Sequence, residues 1–261
     1  MTRMSEGRVT LARDGTVARV VFDRPEARNA MTWAMYAQLS DICNALCLDA
    51  SVRLVIFRGA GNAAFVAGTD IEQFTNFKTG DDGIAYEQQI EACVAAFELL
   101  PMPTVAIVEG WTVGGGLILA TACDFRIAST SARFGVPIAK TLGNCLSVAN
   151  LARLVAAFGM ARVRRMLMLA DILSADEALE AGFLSQVCAP GDIDAAGAAL
   201  CARLLALAPV TQSVTKESLR RLVANSLPDD QDLIRRCYGS DDFQEGVRAF
   251  VAKQSPVWTG H

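Results

Sequence analysis

The stretch Thr104–Cys123, TVAIVEGWTVGGGLILATAC, decides how the rest of the chain is read. It has roughly the length of a bilayer span, about 20 residues. Yet it carries Glu109 and four glycines, and it stops at Asp124. A buried strand from Thr104 to Val108, a glycine turn at Gly114-Gly115-Gly116 and a buried helix from Leu117 to Ala122 accommodate all of these features. Working outward, a helix from about Ile84 to Leu100, ended by Pro101 and Pro103, precedes it, and a strand from Phe125 to Ala128 follows. Further toward the N-terminus lie a buried strand, Leu54 to Arg58, and a helix running to about Cys47. That helix has Thr32 as its N-cap and places Tyr36, Leu39, Cys43 and Leu46 at helical spacing. At the start, Val9 to Arg13 and Val17 to Phe22 flank Asp14-Gly15 and read as a hairpin. Beyond Leu146 the pattern is mostly helical, over 146–158, 160–169, 174–181, 192–207, 209–224 and 239–253, with one short strand from Leu184 to Val187. Strands and helices therefore alternate early and helices dominate late. This predicts a layered α/β core over residues 1–195 and a helical C-terminal region over 196–261 whose apolar faces serve oligomerisation.

Composition narrows the function. The 261 residues are 52% apolar and 20% charged, with 24 basic against 28 acidic side chains and a net charge of −4. One large domain is expected at this size, and the acidic balance argues against nucleic acid as a partner. The single histidine is His261, which excludes Ser-His-Asp and Cys-His catalysis and HExxH zinc sites, and no GxSxG sequence occurs. The eight cysteines form no CxxC pair and read as small buried hydrophobes in a reducing compartment. The opening MTRMSEGRVT lacks the apolar core of a signal peptide. We expect a cytoplasmic protein without membrane spans, metal or resident cofactor.

Two strand-to-glycine-to-helix junctions stand out: Ala67-Gly68-Thr69-Asp70-Ile71 after Phe65, and Gly114-Gly115-Gly116. Each leaves backbone N–H groups free at a turn, and two such donors aimed at one point would form an oxyanion hole. Tight turns made for packing explain the same spacing. A third motif, Gly59-Ala60-Gly61-Asn62-Ala63-Ala64, formally matches a dinucleotide fingerprint, but no helix of useful length fits behind it and no acidic residue ends a following strand.

Six segments, in this order and spacing, resemble the crotonase (enoyl-CoA hydratase/isomerase) superfamily over nearly the whole chain. They are Asp23-Arg24-Pro25-Glu26-Ala27-Arg28-Asn29-Ala30-Met31, Phe65 to Ile71, Val108 to Gly116, Cys123 to Ala128, Arg133-Phe134-Gly135-Val136-Pro137, and Glu245-Gly246-Val247-Arg248-Ala249-Phe250. The resemblance implies a spiral of ββα units with a helical C-terminal extension, assembled as homotrimers or hexamers. It implies an acyl-CoA thioester as substrate, with coenzyme A present only as part of that substrate, and a place in fatty acid metabolism. By position, the backbone N–H groups of Thr69 and Gly115 would form the oxyanion hole, while Arg28, Ala30, Ala67, Gly68, Asp70, Ile71 and Gly114 would line the coenzyme A moiety.

The family's hydratases carry two glutamates, one three residues after the central glycine and one just after Phe-Gly-x-Pro. Ile118 and Ile138 occupy those positions here. An isoleucine moves no proton. Asp70, Glu72 and Glu91 are the candidates for a displaced acid or base, although Asp70 also suits a helix cap, and Glu72, Glu87 and Glu91 suit a solvated helix face. Lys140 and Asn144 follow the second isoleucine and are in range of a substrate carboxylate or carbonyl. Cys145 falls where a dehalogenating branch of the family carries its nucleophile, and a buried inert thiol explains it as well. Three readings remain: a hydratase or isomerase with a displaced acid or base, another enolate reaction such as decarboxylation by a lyase, and an acyl-CoA binder without turnover.

Overall fold

A computed structural model describes residues 6–224 and 227–260; the side chain of Ala224 and all of His261 lie outside the described residues. The hairpin forms as expected from β1 (Arg8–Asp14) and β2 (Val17–Asp23), paired antiparallel around the Asp14-Gly15 turn. Helix α1 (Trp33–Cys47) starts where Thr32 caps it, the threonine side chain accepting from the Met35 amide at 3.3 Å.

From there the chain winds through two sheets. Strands β3 (Leu54–Gly59), β5 (Thr104–Val108), β7 (Phe125–Ser129) and β10 (Gln186–Cys188) join the hairpin in a six-stranded sheet of order β1-β2-β3-β5-β7-β10, parallel from β2 onward. The intervening strands β4 (Ala64–Ala67), β6 (Trp111–Val113) and β8 (Arg133–Gly135), with β9 (Ile172–Ser174), form a second sheet of four. Each turn of the spiral contributes one strand to each sheet and then a helix: α2 (Gly80–Glu98) after β4, α3 (Gly115–Ala122) after β6, and α4 (Ile138–Thr141) after β8. The expected ββα spiral is thus present. Sequence periodicity does not reveal the second set of strands, because runs of three or four residues are too short to display a period.

Parallel strands covered on both faces read as continuous apolar runs, and β3 shows why. Val55 and Phe57 enter the main core, whereas Leu54 and Ile56 join Val105, Ile107 and Ile127 on the opposite face. That face is covered by α7 (Ile193–Leu205) through Ile193, Cys201 and Leu204. Helix α2 starts at Gly80, four residues before the expected Ile84, because Thr79 and Asp82 form a capping box. The expected helices over 146–158 and 160–169 meet as α5 (Val148–Met168), interrupted at Gly159 with φ 75°. After α6 (Ala175–Glu180) and α8 (Pro209–Ala224) comes α9 (Gln231–Tyr238), a helix not among those expected from the sequence pattern. It packs on α2, and α10 (Asp241–Val251) packs against the 3-10 turn Ile71–Asn76. Among the described residues no single helix is long and apolar enough to cross a membrane.

Candidate functional site

The two glycine junctions meet. The residue that begins the second turn, Gly114, adopts φ 55°, which favours glycine, and a β-carbon there would lie 3.6 Å from Gly68 Cα. A β-carbon at Gly115 would lie 3.4 Å from Thr69 Oγ1. At Gly116 the first turn of α3 is pressed so closely onto β4 that a β-carbon would fall 2.0 Å from the Val66 carbonyl oxygen. Thr69 bridges to Met31, but this pairing uses its neighbours: the Met31 amide donates to the Gly68 carbonyl and the Asp70 amide donates to Met31. Its own N–H therefore points away from Met31. Among the described residues neither the Thr69 nor the Gly115 amide donates a hydrogen bond to a protein acceptor.

Both turns open on a cavity of about 440 Å³. Arg28, Ala30, Ala67, Gly68, Thr69, Asp70, Ile71, Glu72, Gly114, Gly115, Ile118 and Ile138 all line it. The segment before α1 is held there by Asn29, which is fully buried. Its amide donates to the carbonyls of Ala60 and Ala64, and its Oδ1 accepts from the Arg24 amide. Arg28 and Asn29 both take left-handed backbone angles to make this turn. Arg24, also buried, reaches Asp70 at 2.7 Å and the Ala30 carbonyl at 3.2 Å.

The acid and base candidates separate in space. Asp70 lines the cavity but is engaged by Arg24 and caps the 3-10 turn by accepting from the Glu72 amide. Glu72 lies at the cavity and is exposed. Glu91 is not among the lining residues: Arg153 holds it at 2.6 Å, and the same guanidinium binds Glu98. Lys140 is absent from the lining as well, while Asn144 belongs to it.

Glu87 corrects the expectation of a solvated helix face. It is only 3% exposed and lines the cavity from α2, because α9 and the loop before α5 cover that side of the helix. The Tyr238 hydroxyl donates to Glu87 Oε1 at 2.8 Å and the Ser147 amide to Oε2 at 3.1 Å. Burial pushes its carboxyl up to about 7, against the opposing pull of these two donors, and the charges of Asp230 and Glu91 add to the rise. In the lining of the same cavity Thr69 Oγ1 lies 2.8 Å from the Tyr36 hydroxyl and 3.0 Å from that of Tyr86, and burial raises both phenols so that they stay neutral. The Cys145 thiol is raised far above its ordinary value by its hydrogen bond with Cys237 and by burial, which disfavours the nucleophilic thiolate.

Against known proteins, the family model described as enoyl-CoA hydratase/isomerase matches residues 12–261. The chain belongs to the enoyl-CoA hydratase/isomerase family. This is the crotonase superfamily that the sequence motifs resemble. The short-chain-enoyl-CoA hydratase of Clostridium acetobutylicum is 29% identical over 96% of this chain and 97% of its own. An enoyl-CoA hydratase/carnithine racemase of Magnetospirillum magneticum superposes with a TM-score of 0.79 at 32% identity, covering 97% of this chain and 96% of that one. A methylmalonyl-CoA decarboxylase in complex with 2-nitronate-propionyl-CoA superposes with a TM-score of 0.88 at 26% identity, covering 97% and 98%. Members of the enoyl-CoA hydratase/isomerase family act on acyl-CoA thioesters, and this member has the family fold with isoleucine at 118 and 138.

Proposed function

We propose that this protein is an enzyme, a lyase or isomerase, that binds an acyl-CoA thioester and stabilises its enolate between the Thr69 and Gly115 amides. The observation that carries the reading is the meeting of the two glycine turns at one cavity with both amides uncommitted among the described residues. Preorganised donors of this kind are worth most where negative charge develops on a carbonyl oxygen away from water. Arg28, Ala30, Ala67, Gly68, Asp70, Ile71 and Gly114 then cradle the coenzyme A portion of the substrate, and no other cofactor is invoked. The working unit is a cytoplasmic homotrimer or hexamer in fatty acid metabolism. The exposed Val210, Val214, Leu219 and Leu222 of α8 supply apolar surface for such an assembly.

Ile118 and Ile138 favour a second, narrower reading. Ile118 is buried and both side chains line the cavity, so the positions that carry glutamates in the family's hydratases are apolar here. Decarboxylation of a malonyl-type thioester suits such a wall, since loss of CO₂ creates the carbanion without a base and a desolvated carboxylate is raised in energy. The superposition with a methylmalonyl-CoA decarboxylase agrees with this reading. The test is mass spectrometry of enoyl-, β-ketoacyl- and malonyl-type CoA thioesters incubated with the protein in deuterated water. Loss of CO₂ from the malonyl class is the expected result. Gain of water by an enoyl-CoA would replace decarboxylation with hydration, and thioesters that bind unchanged would reduce the protein to an acyl-CoA binder.

A further inference from the structure

Among the described residues three carboxyls line the cavity, those of Asp70, Glu72 and Glu87. Arg24 engages the first and the second is exposed, so only Glu87 sits in the dry part of the site. Its clamp is built from distant parts of the chain, with Tyr238 from α9 on one oxygen and the Ser147 amide on the other. A carboxylate has about four acceptor sites, so one donor on each oxygen leaves room for a proton. Asn144 extends the cluster, its Nδ2 donating to the Tyr238 hydroxyl at 3.3 Å. Its Oδ1 is buried without a partner among the described residues, and the residue lines the same cavity. An unfilled acceptor beside a buried acid marks a place where a ligand or a water supplies the missing donor.

We infer that Glu87 is the group that takes and returns the proton at the α-carbon of the bound thioester. This rests on the enolate reading given above. In the forward step the Glu87 carboxylate takes the α-proton, the C–H bond breaks, and its electron pair moves through the new C=C bond onto the thioester oxygen, which the Thr69 and Gly115 amides hold. In the return step the pair comes back from oxygen, the carbonyl reforms, and the proton on Glu87 bonds to the α-carbon. After a C–C cleavage only the return step is needed, and water replaces the proton. The groups facing Glu87 are Tyr86 and Glu91 from its own helix, Tyr36 from α1, Asn144, Cys145 and Ser147 from the loop before α5, and Asp230, Cys237 and Tyr238 from α9 and its cap. The charged ones, Glu91 and Asp230, are acids and hold the carboxyl near neutrality together with burial.

The experiment follows deuterium entering the α-position of propionyl-CoA in deuterated water by mass spectrometry, across pH 5 to 9, with thioester affinity measured by calorimetry. Wild-type exchange rises with pH and levels off above about 7, the value of the Glu87 carboxyl. Glu87→Gln lowers exchange by more than about 100-fold and keeps its thioester affinity. Tyr238→Phe removes a donor to the carboxylate and moves the midpoint to higher pH, which also serves if Glu87→Gln fails to fold. Exchange in folded Glu87→Gln within a few-fold of wild type, or an unmoved midpoint in Tyr238→Phe, overturns the assignment alone. A wild-type protein that binds the thioester but exchanges nothing overturns the enolate reading with it.

Discussion

One part of the cavity wall, at Gly68, Thr69, Gly114 and Gly115, is built from the glycine turns; another part, on α2, presents the side chains of Tyr86, Glu87 and Ile90, and the two adjoin where the Tyr86 hydroxyl meets Thr69 Oγ1 at 3.0 Å. The glycine turns owe their shape to the positive φ of Gly68 and Gly114, and behind them Gly116 lets α3 approach β4 at a distance that no β-carbon permits. The α2 wall is held by partners remote in sequence: the hydroxyl that clamps Glu87 lies 151 residues away. In the chemistry proposed above, the difference separates charge stabilisation, which needs only peptide N–H groups, from proton transfer, which needs a titratable side chain whose burial sets its protonation.

The comparison breaks most sharply at Gly115. Proline is tolerated at the first position of a helix but has no N–H, so Gly115→Pro is expected to cut turnover by more than about 100-fold while α3 persists by circular dichroism. Gly115→Ala, which keeps the donor but brings a β-carbon to 2.8 Å from the Tyr36 hydroxyl, controls for crowding. Turnover in Gly115→Pro equal to that in Gly115→Ala would remove the backbone wall from the chemistry.

On the α2 wall the largest effect is on stability against pH. Glu87 sits at about 7 when folded, against about 4.3 for an unperturbed glutamate. Between those values the folded state keeps a proton that the unfolded state has lost, so unfolding free energy falls as pH rises through this window. The drop is on the order of 3 kcal/mol by pH 8. Urea denaturation at pH 5 and pH 8 should show it in wild type and not in Glu87→Gln; equal curves would mean that the carboxyl is not raised.

Gly83→Ala probes the same wall from behind. Its β-carbon would lie 2.2 Å from the Tyr238 ring, forcing α9 off α2, at a cost of about 1–3 kcal/mol. Thermal unfolding measures the cost, and a loss of α-exchange in step with it would tie Glu87 to its clamp. The smallest effect on rate belongs to Glu91→Gln, one turn further along α2, since Arg153 holds that side chain away from the cavity. Turnover within about twofold of wild type is expected, and a larger fall would return Glu91 to the list of acids that act on the substrate.

Much of the fold was legible because its signals are local. The Asp14-Gly15 hairpin, the Thr32 cap, the proline stop after α2 and the break at Gly159 each depend on a few neighbouring residues. The second sheet was not legible, because β6, β8 and β9 have only three residues each and owe their form to their partners. Helix α9 was missed within a polar stretch where only Ile234 and Tyr238 are buried. In the site, ten cavity positions (Arg28, Ala30, Ala67, Gly68, Thr69, Asp70, Ile71, Glu72, Gly114 and Gly115), together with Ile118 and Ile138, stand out in the sequence, whereas Glu87 has the pattern of a solvated helix face.

The sequence by itself determined where the chain must lack side chains and where the usual acids are missing, because glycine and isoleucine carry those properties wherever they are placed. The tertiary structure alone decided which carboxyl is buried, since that depends on α9 and the loop before α5 folding back over one face of α2. A carboxyl's pKa is set by how much water and which charges surround it, and neither is a property of the neighbouring residues in the chain.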